Sequence, residues 1–205
     1  AGLVGEDGPT HHGVYDIAAL NAIPQMILAA PSDGMELRNL LYSAVEWDLP
    51  SAIRYPRSKI PVAIPENSTF QTLPLGKANR VQTGTSGVAV LVYGAFLHSV
   101  LEAVSTLESE VTVVDMRFAK PLDEALLEEL SKEAPIWVTV EDGSLNGGFG
   151  SIVQQWVSNR GKVNQVFTLG ISDQFIEHGK LEELLHLLGL DTAGFTRYFT
   201  QLFGL

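Results

Sequence analysis

Short apolar runs alternate with longer amphipathic segments through the second half of this 205-residue chain. The runs are rich in β-branched residues and predict buried strands, at residues 87–94, 111–117, 136–142 and 164–171. Between and after them, apolar residues recur every three or four positions and predict helices, at residues 96–107, 123–133, 152–159, 180–189 and 192–203. Strands that alternate with helices pair in parallel and are covered on both faces, so this half is predicted to be a doubly wound α/β sheet.

The first 57 residues show the same alternation with fewer elements. Their pattern predicts a helix, a buried strand, an amphipathic helix and a second strand, at residues 14–23, 25–31, 32–47 and 51–56. The longer helix begins with a capping-box pattern, Asp33 followed by Glu36. Its predicted apolar side consists of Leu37, Leu40, Leu41, Ala44 and Val45. Because two strands cannot form a covered sheet in so small a domain, we expect residues before Ala1, or a partner, to complete this part.

A proline-containing segment separates the two parts. Residues 58–76 contain Pro61, Pro65 and Pro74 and show no helical period. Because proline restricts its own φ and the conformation of the residue before it, this segment is predicted to be an extended linker. The predicted organisation is therefore a partial α/β domain at residues 1–57, a linker at 58–76 and the doubly wound domain at 77–205.

Composition and charge exclude several classes of partner and of chemical site. With 45% hydrophobic residues the chain can bury a core, and its net charge of −11 disfavours binding to nucleic acid or to an anionic membrane surface. The lack of cysteine excludes disulfides, thiolate chemistry and cysteine-bound zinc. No apolar run approaches the ~18 residues of a membrane span, and no signal-peptide pattern is present. The chain starts without Met and in mid-pattern, so we expect it to be a fragment of a longer protein.

The stretch DGPTHHGVYD, residues 7–16, places two of the chain's five histidines side by side in a loop. Imidazole exchanges protons near neutral pH, and flanking glycines let a ligand approach the backbone closely. His11 is therefore a candidate for proton transfer, while a hydrogen-bonded loop histidine is the alternative that the residues alone leave open. Asp7 has two interpretations as well, a turn residue or a partner of a substrate hydroxyl.

Two arginines follow the second strand of the first part. In SAIRYPR, Arg54 comes directly after the apolar run and Arg57 three residues later. Ligands of α/β sheets bind outside the carboxyl ends of strands, and a guanidinium binds phosphate through two hydrogen bonds. Arg54 is the stronger phosphate candidate because it lies inside an otherwise apolar run. A surface ion pair is at least as good an interpretation of Arg57.

Two further polar segments favour structural roles. Glycine-rich EDGSLNGGFGS, residues 141–151, lies between a strand and a helix, where phosphate can bind. It lacks the spacing of a nucleotide-binding loop, and Glu141 and Asp142 would repel an anion, so tight turns explain its glycines better. The strand end VVDMRFAKPLD is predicted to form a structural network or an interface through Asp115, Arg117 and Lys120.

Several stretches resemble the 1-deoxy-D-xylulose-5-phosphate synthases, a thiamine-diphosphate-dependent family of the transketolase group. The stretches keep the family's order and spacing over nearly the whole chain; they are AGLVGEDGPTHHGVYDIAAL, IPQMILAAPSDGMELRNLLYSA, PSAIRYPR, VVDMRFAKPLDEALLEEL, VTVEDGSLNGGFGS and LGISDQFIEHG. The pattern DG-x-TH-x-G and the stretch SAIRYPR are the most specific. The resemblance implies the second half of a pyrimidine-binding α/β domain, followed by a complete transketolase C-terminal-type α/β domain.

The resemblance also implies roles for individual residues. His11 matches the family's active-site histidine, which contacts substrate and assists proton transfers. Asp7 matches an aspartate that lines the acceptor-substrate pocket, and Arg54 looks like the arginine that binds the phosphate of glyceraldehyde 3-phosphate. His12 falls where the family varies, often with glutamine, so no essential role is expected for it. No residue of this chain is assigned to a cofactor or a metal.

The reaction that the resemblance implies condenses pyruvate with D-glyceraldehyde 3-phosphate, with loss of CO₂, and supplies a precursor of isoprenoids, thiamine and pyridoxal. The full-length enzyme uses thiamine diphosphate and Mg²⁺, but the family's diphosphate and magnesium motif and its activating glutamate would precede Ala1. We therefore expect the isolated chain to be inactive and to lack the cofactor. A homodimer in the bacterial cytoplasm or the plastid stroma is expected, with no nucleic-acid or membrane partner.

Two other interpretations stay open. One is another transketolase-like chain, such as a transketolase proper or the β-type chain of a 2-oxo acid dehydrogenase, although the pairing of SAIRYPR with GPTHHG argues against it. The other is a non-catalytic module for dimerisation or regulation. A GDG…N motif and a glutamate-bearing helix encoded upstream of Ala1 would support an enzyme, and a start codon near Ala1 would support the module.

Overall fold

The computed structural model of the chain describes residues 1–59, 62–65 and 68–203; Pro61 of the predicted linker lies outside these residues. The helices are α1 (Asp16–Asn21), α2 (Gly34–Ala44), α3 (Leu97–Ser105), α4 (Glu124–Glu133), α5 (Phe149–Asn159), α6 (Leu181–Leu188) and α7 (Thr192–Phe203). The strands are β1 (Ile27–Ala29), β2 (Ser51–Ile53), β3 (Asn79–Gln82), β4 (Val88–Tyr93), β5 (Thr112–Asp115), β6 (Phe118–Lys120), β7 (Ile136–Ser144) and β8 (Gln165–Ile171). Every predicted helix and strand is present, and β3 and β6 are additional.

The larger sheet has the strand order β3-β5-β4-β7-β8. β5, β4, β7 and β8 pair in parallel, as predicted, while β3 pairs with β5 in antiparallel register at the edge. The pattern did not reveal β3 because its residues are largely polar and alternate between exposed and half-buried. An edge strand of this kind has no continuous apolar run to mark it.

Both faces of the larger sheet are covered, which confirms the doubly wound α/β architecture. Side chains of β4 alternate between the two cores, since Val90 and Val92 pack with α3 and α7 while Leu91 and Tyr93 pack with α1, α4 and α5. Helix α1, from the first part of the chain, lies on this sheet through its buried Ile17. None of the helices in the described residues is long and apolar enough to cross a membrane.

A second sheet of three strands has the order β2-β1-β6. β1 and β2 pair in parallel, and β6 joins β1 in antiparallel register with Leu28 opposite Lys120 and Ala29 opposite Phe118. Two strands from the first part of the chain therefore gain a neighbour from the second part. The chain itself supplies this third strand, which the sequence pattern did not predict.

The start of α2 confirms Asp33 as the N-cap, because its carboxylate accepts a hydrogen bond from the backbone N–H of Glu36 at 2.8 Å. The Glu36 half of the capping box is not formed, since the Glu36 carboxylate accepts from Arg117 instead. The predicted apolar side is wrong in part. Leu40 is fully buried, but Leu41 is 51% exposed and Val45 is 83% exposed. The face that packs inward is therefore rotated from the one that the leucines indicate.

Two polar side chains on α2 explain this rotation. Asn39 and Ser43 are buried, and their side-chain oxygens accept hydrogen bonds from the backbone N–H groups of Gln71 at 3.1 Å and Leu73 at 2.8 Å. These bonds hold the end of the linker against the helix and bring Leu73 into the same apolar cluster as Leu40. Because buried amides need partners, the linker's backbone selects the polar face of α2.

A polar network joins α2 to the crossover between β5 and β6. Arg117 donates to the Glu36 carboxylate through Nε at 3.1 Å and through Nη2 at 2.6 Å, and the Ser32 hydroxyl donates to Asp115 at 2.8 Å. Lys120 donates to the carbonyls of Asn21 and Ile23. The structural network predicted for Asp115, Arg117 and Lys120 is confirmed, and it holds the two sheets together.

The buried Asp115 predicts a pH dependence of stability. Burial raises the pKa of this carboxyl to about 7. Between about pH 4 and pH 7 the folded chain keeps a proton that the unfolded chain releases, so this contribution to stability is complete at low pH and is lost as pH rises through the folded pKa. Asp115→Asn removes this proton. We therefore expect the change of the free energy of unfolding with pH, measured by urea denaturation, to become smaller by up to ~1.4 kcal/mol per pH unit across this range. The matched control is Asp173→Asn on an exposed loop, and equal slopes for wild type and Asp115→Asn would contradict the prediction.

Candidate active site

Arg54 lies immediately after β2, at the carboxyl end of the strand. Its backbone N–H donates to the carbonyl of Ala29 and so extends the pairing with β1. Its side chain is only 6% exposed. The guanidinium donates to Asp16 through Nε at 2.9 Å, forms an ion pair with Asp142 through Nη1, and donates to the Gly13 carbonyl through Nη2 at 3.3 Å. One side chain thus joins β2, α1, the end of β7 and the loop that precedes α1.

These contacts give Arg54 a charge environment that suits a structural ion pair. Burial on its own would lower the pKa of Arg54, but the charges of Asp142 and Asp16 raise it above its ordinary value, so the guanidinium stays protonated. The same two carboxylates neutralise it and would repel a phosphate. Phosphate binding by Arg54 stays a prediction, and its contacts support a structural role.

Arg57 occupies a different environment three residues further on. Its side chain is 75% exposed, and Nη1 donates to Asp7 Oδ2 at 2.7 Å. A cavity of about 510 Å³ lies beside it, lined by Leu3, Val4, Gly5, Glu6, Arg57, Ser58, Lys59, Lys180, Leu181 and Glu182. We call this cavity the cationic cleft, because three cations, Arg57, Lys59 and Lys180, line it against two carboxylates, Glu6 and Glu182. Lys180 also pairs with Glu183 at 3.3 Å. The structure therefore brings Asp7 to Arg57, and not to Arg54.

The sequence left a surface ion pair open for Arg57, and its exposed pair with Asp7 confirms that interpretation. The available signal of that exposure was the intervening Pro56, which cannot extend a strand ladder and so carries the chain away from the sheet. Arg54 directly follows β2 and pairs with β1 through its backbone, which keeps it in the packed interior, whereas Arg57 follows Pro56 and reaches solvent.

His11 lies in the loop between the start of the chain and α1. Backbone hydrogen bonds turn this loop twice, from Gly8 N to Val4 O at 3.0 Å and from His11 N to Gly8 O at 3.0 Å. The imidazole is exposed, and its Nδ1 is 3.0 Å from the hydroxyl of Thr10. Within the described residues, no hydrogen bond joins His11 to either arginine of SAIRYPR. The loop nevertheless contacts both, Arg57 through Asp7 and Arg54 through Gly13.

The glycine-rich loop after β7 is closed by the chain's own carboxylate. Glu141 is buried and accepts hydrogen bonds from the backbone N–H groups of Phe149 and Gly150, both at 2.8 Å, at the start of α5. Burial raises the pKa of Glu141 to about 7. A Cβ at Gly148 would lie 2.3 Å from Glu141 Oε2, and Gly147 has a φ of +73°. Tight turns and close approach therefore account for the glycines, as the sequence indicates.

The described residues do not fit a diphosphate with its divalent cation. The helix N-terminus that would receive an anion is taken by Glu141. No group of three histidine, aspartate or glutamate side chains within residues 1–59, 62–65 and 68–203 is arranged to hold a metal ion. What these residues do offer is the cationic cleft, whose Arg57 bonds to Asp7 on the loop that carries the exposed His11.

Two protein-family models match the chain. Residues 76–194 match the transketolase C-terminal domain, and residues 1–62 match the transketolase pyrimidine-binding domain. Curated relatives named 1-deoxy-D-xylulose-5-phosphate synthase include one from Alcanivorax borkumensis, 45% identical over 98% of this chain, and one from Acidovorax sp., 45% identical over 100% of it. The chain spans only 30% and 32% of the length of these two relatives.

The solved structures that resemble this chain are transketolases, as the family models are. A structure described as a split-gene transketolase, inactive β4 tetramer, superposes with a TM-score of 0.84 at 27% identity, over 95% of this chain and 63% of that chain. A transketolase from Campylobacter jejuni superposes with a TM-score of 0.71 at 20% identity, over 97% of this chain and 29% of that one, and shows the shared fold. The model of the transketolase C-terminal domain alone matches more than half of this chain, and the chain therefore belongs to the transketolase family.

Proposed function

We propose that this chain forms the acceptor-binding part of a thiamine-diphosphate-dependent 1-deoxy-D-xylulose-5-phosphate synthase, which condenses pyruvate with D-glyceraldehyde 3-phosphate and releases CO₂. The observation that carries the proposal is the Asp7–Arg57 pair at the edge of the cationic cleft, on the loop that holds His11. A phosphorylated aldehyde has the anionic group that such a cleft attracts. The names of the relatives support the same reaction.

Arg57 is assigned the phosphate of the acceptor, with Lys59 adding positive charge and Lys180 contributing less because it pairs with Glu183 at 3.3 Å. Asp7 engages Nη1 of Arg57, which orients the guanidinium and leaves Nε and Nη2 for a phosphate oxygen. Asp7 is also placed to accept a hydrogen bond from a hydroxyl of the bound sugar phosphate. In this assignment Arg54, for which the resemblance implies the phosphate, instead holds the loop and β2 in place.

His11 is assigned proton transfer to and from the acceptor. The Thr10 hydroxyl engages Nδ1, which leaves Nε2 as the nitrogen that exchanges a proton with substrate. Thiamine diphosphate supplies the electron sink for loss of CO₂ when bound. We assign it and Mg²⁺ to parts of the enzyme other than the described residues, because those residues do not fit them. A homodimer in the bacterial cytoplasm or the plastid stroma belongs to the same proposal.

The isolated chain is expected to be inactive. A structural neighbour is described as an inactive β4 tetramer of a split-gene transketolase, which supports this expectation. The test mixes the chain with thiamine diphosphate, Mg²⁺, pyruvate and D-glyceraldehyde 3-phosphate and measures CO₂. Release of CO₂ above the protein-free blank would contradict this part of the proposal.

A chimera tests the proposed activity directly. The 201 aligned residues of the Alcanivorax borkumensis relative are replaced by the corresponding residues of this chain, with the unmodified relative as the control. We expect the chimera to form 1-deoxy-D-xylulose 5-phosphate, measured by mass spectrometry. A folded chimera that binds thiamine diphosphate but forms none of this product would overturn the proposal and favour a non-catalytic module. Activity with a different acceptor only would favour another transketolase-like enzyme.

A further inference from the structure

His12, the second histidine of the pair, has hydrogen-bond partners at both ring nitrogens. The backbone N–H of Val4 donates to Nδ1 at 2.9 Å, and Nε2 lies 3.0 Å from the carbonyl oxygen of Ile176. An amide N–H only donates, so Nδ1 carries the lone pair and the proton of the neutral ring is on Nε2. The ring therefore accepts from one segment and donates to the other.

The two segments that His12 joins are loops from the two parts of the chain. The first is residues 4–13, which we call the histidine loop, and the second is residues 172–180, between β8 and α6, which we call the β8–α6 loop. They meet at a second point, where the N–H of Gly179 donates to the carbonyl of Gly5 at 2.8 Å. His12 and Gly5, which lie near opposite ends of the histidine loop, therefore both fasten it to the β8–α6 loop.

The backbones at this contact are too close to admit side chains. A Cβ at Gly5 would lie 2.3 Å from the carbonyl oxygen of Gly179, and a Cβ at Gly8 would lie 2.9 Å from the Cβ of His178. Gly8 also has a φ of +74°, which a residue with a side chain rarely adopts. The histidine loop therefore depends on its neighbour for its shape.

We infer that His12 is a positioning residue, which locks the histidine loop onto the β8–α6 loop and so holds Asp7 and His11 in place for the acceptor. The two adjacent histidines have different roles in this inference. His11 is exposed and bonded only locally, to Thr10, whereas both nitrogens of His12 are committed to the backbone. The structural part of this inference stands on its own contacts, and its effect on catalysis rests on the proposed function.

The structural part is tested on the 205-residue chain by amide hydrogen exchange, read by NMR. His12→Leu removes both hydrogen bonds, so exchange at Val4 is expected to speed up by about tenfold or more. His12→Gln keeps one acceptor and one donor, so it is expected to retain the protection. His11→Leu is the matched control and should leave Val4 unchanged. Unchanged exchange at Val4 in His12→Leu, or equal loss in His12→Gln, would overturn the inference.

A second measurement does not depend on whether a variant folds. The ¹⁵N chemical shifts of the wild-type imidazole distinguish a protonated from an unprotonated ring nitrogen. We expect His12 to have Nε2 protonated and Nδ1 unprotonated near neutral pH. The opposite tautomer, or rapid averaging between the two, would overturn the assignment.

The catalytic part is tested in the chimera. His12→Leu is expected to raise KM for D-glyceraldehyde 3-phosphate by about tenfold while KM for pyruvate changes little, and His12→Gln is expected to restore it. Unchanged acceptor KM in an active His12→Leu chimera would overturn the positioning role. If the wild-type chimera itself is inactive, the proposed function has failed, whereas the exchange and ¹⁵N measurements still decide whether His12 joins the loops.

Discussion

Replacing Arg54 with Met is expected to lower the free energy of unfolding by about 3–5 kcal/mol, because it leaves two carboxylates without their buried partner. Asp142 is buried and Asp16 is partly so, and both depend on the guanidinium for charge neutralisation. The Gly13 carbonyl loses a donor as well. Chemical denaturation of the 205-residue chain, followed by circular dichroism, measures the loss.

The matched control is Arg57→Met, which removes the same charge from a neighbouring exposed site. Exposed ion pairs contribute about 0–1 kcal/mol, so this variant should unfold close to wild type. Arg54→Lys keeps the charge but loses the forked hydrogen bonds to Asp16 and Asp142, and it should fall between the two. Similar destabilisation by Arg54→Met and Arg57→Met would contradict a structural role for Arg54.

The contrast between these arginines shows where the sequence is informative. Strands and helices of the larger sheet follow from apolar periodicity, because both faces of β4 and β7 are buried and leave long apolar runs. Arg54 follows the short strand β2, whose residues are exposed or half-buried, and its partners Asp16 and Asp142 come from distant parts of the chain. No local pattern indicates that three charges far apart in sequence will neutralise one another.

The smaller sheet shows what apolar periodicity does not predict. β6 has three residues and follows Arg117, whose φ of +52° turns the chain sharply between two strands. Its neighbour β1 lies far away in sequence, so neither length nor periodicity predicts the pairing. The rotated face of α2 has the same origin, since the partners of Asn39 and Ser43 are backbone amides of the linker. Such tertiary partners override the local apolar pattern.

The candidate site is predictable from the sequence in part. The residues DGPTHHG and SAIRYPR predict a functional loop and a strand end, and the structure brings these two segments together through Arg57 and Asp7. Which arginine faces the cleft is decided by Pro56 and by burial, and not by residue type. The role of His12 could not be predicted locally, because one of its two partners, Ile176, lies in the other part of the chain.

In the chimera, Arg57→Ala is expected to lower kcat/KM for D-glyceraldehyde 3-phosphate by about 10- to 100-fold, the cost of losing a charge-assisted hydrogen bond. Arg57 is exposed and lines the cationic cleft, so the loss should come from substrate binding and not from unfolding. D-glyceraldehyde, which lacks the phosphate, distinguishes a lost phosphate contact from a general loss of folded enzyme. Arg57→Ala should change its kcat/KM little, because no phosphate contact exists to be lost.

The ratio of kcat/KM for the phosphorylated to the unphosphorylated aldehyde therefore identifies the phosphate-binding arginine. It should fall by about 10- to 100-fold in Arg57→Ala and stay near the wild-type value in Arg54→Lys, whose effect falls on both aldehydes alike. The lysine keeps a positive charge at position 54, so Asp16 and Asp142 stay neutralised even without the forked hydrogen bonds. The reverse pattern, a ratio that falls in Arg54→Lys and not in Arg57→Ala, would return the phosphate to Arg54. It would also require Asp16 and Asp142 to release a guanidinium that they neutralise in this structure, since one buried side chain cannot serve both partners at once.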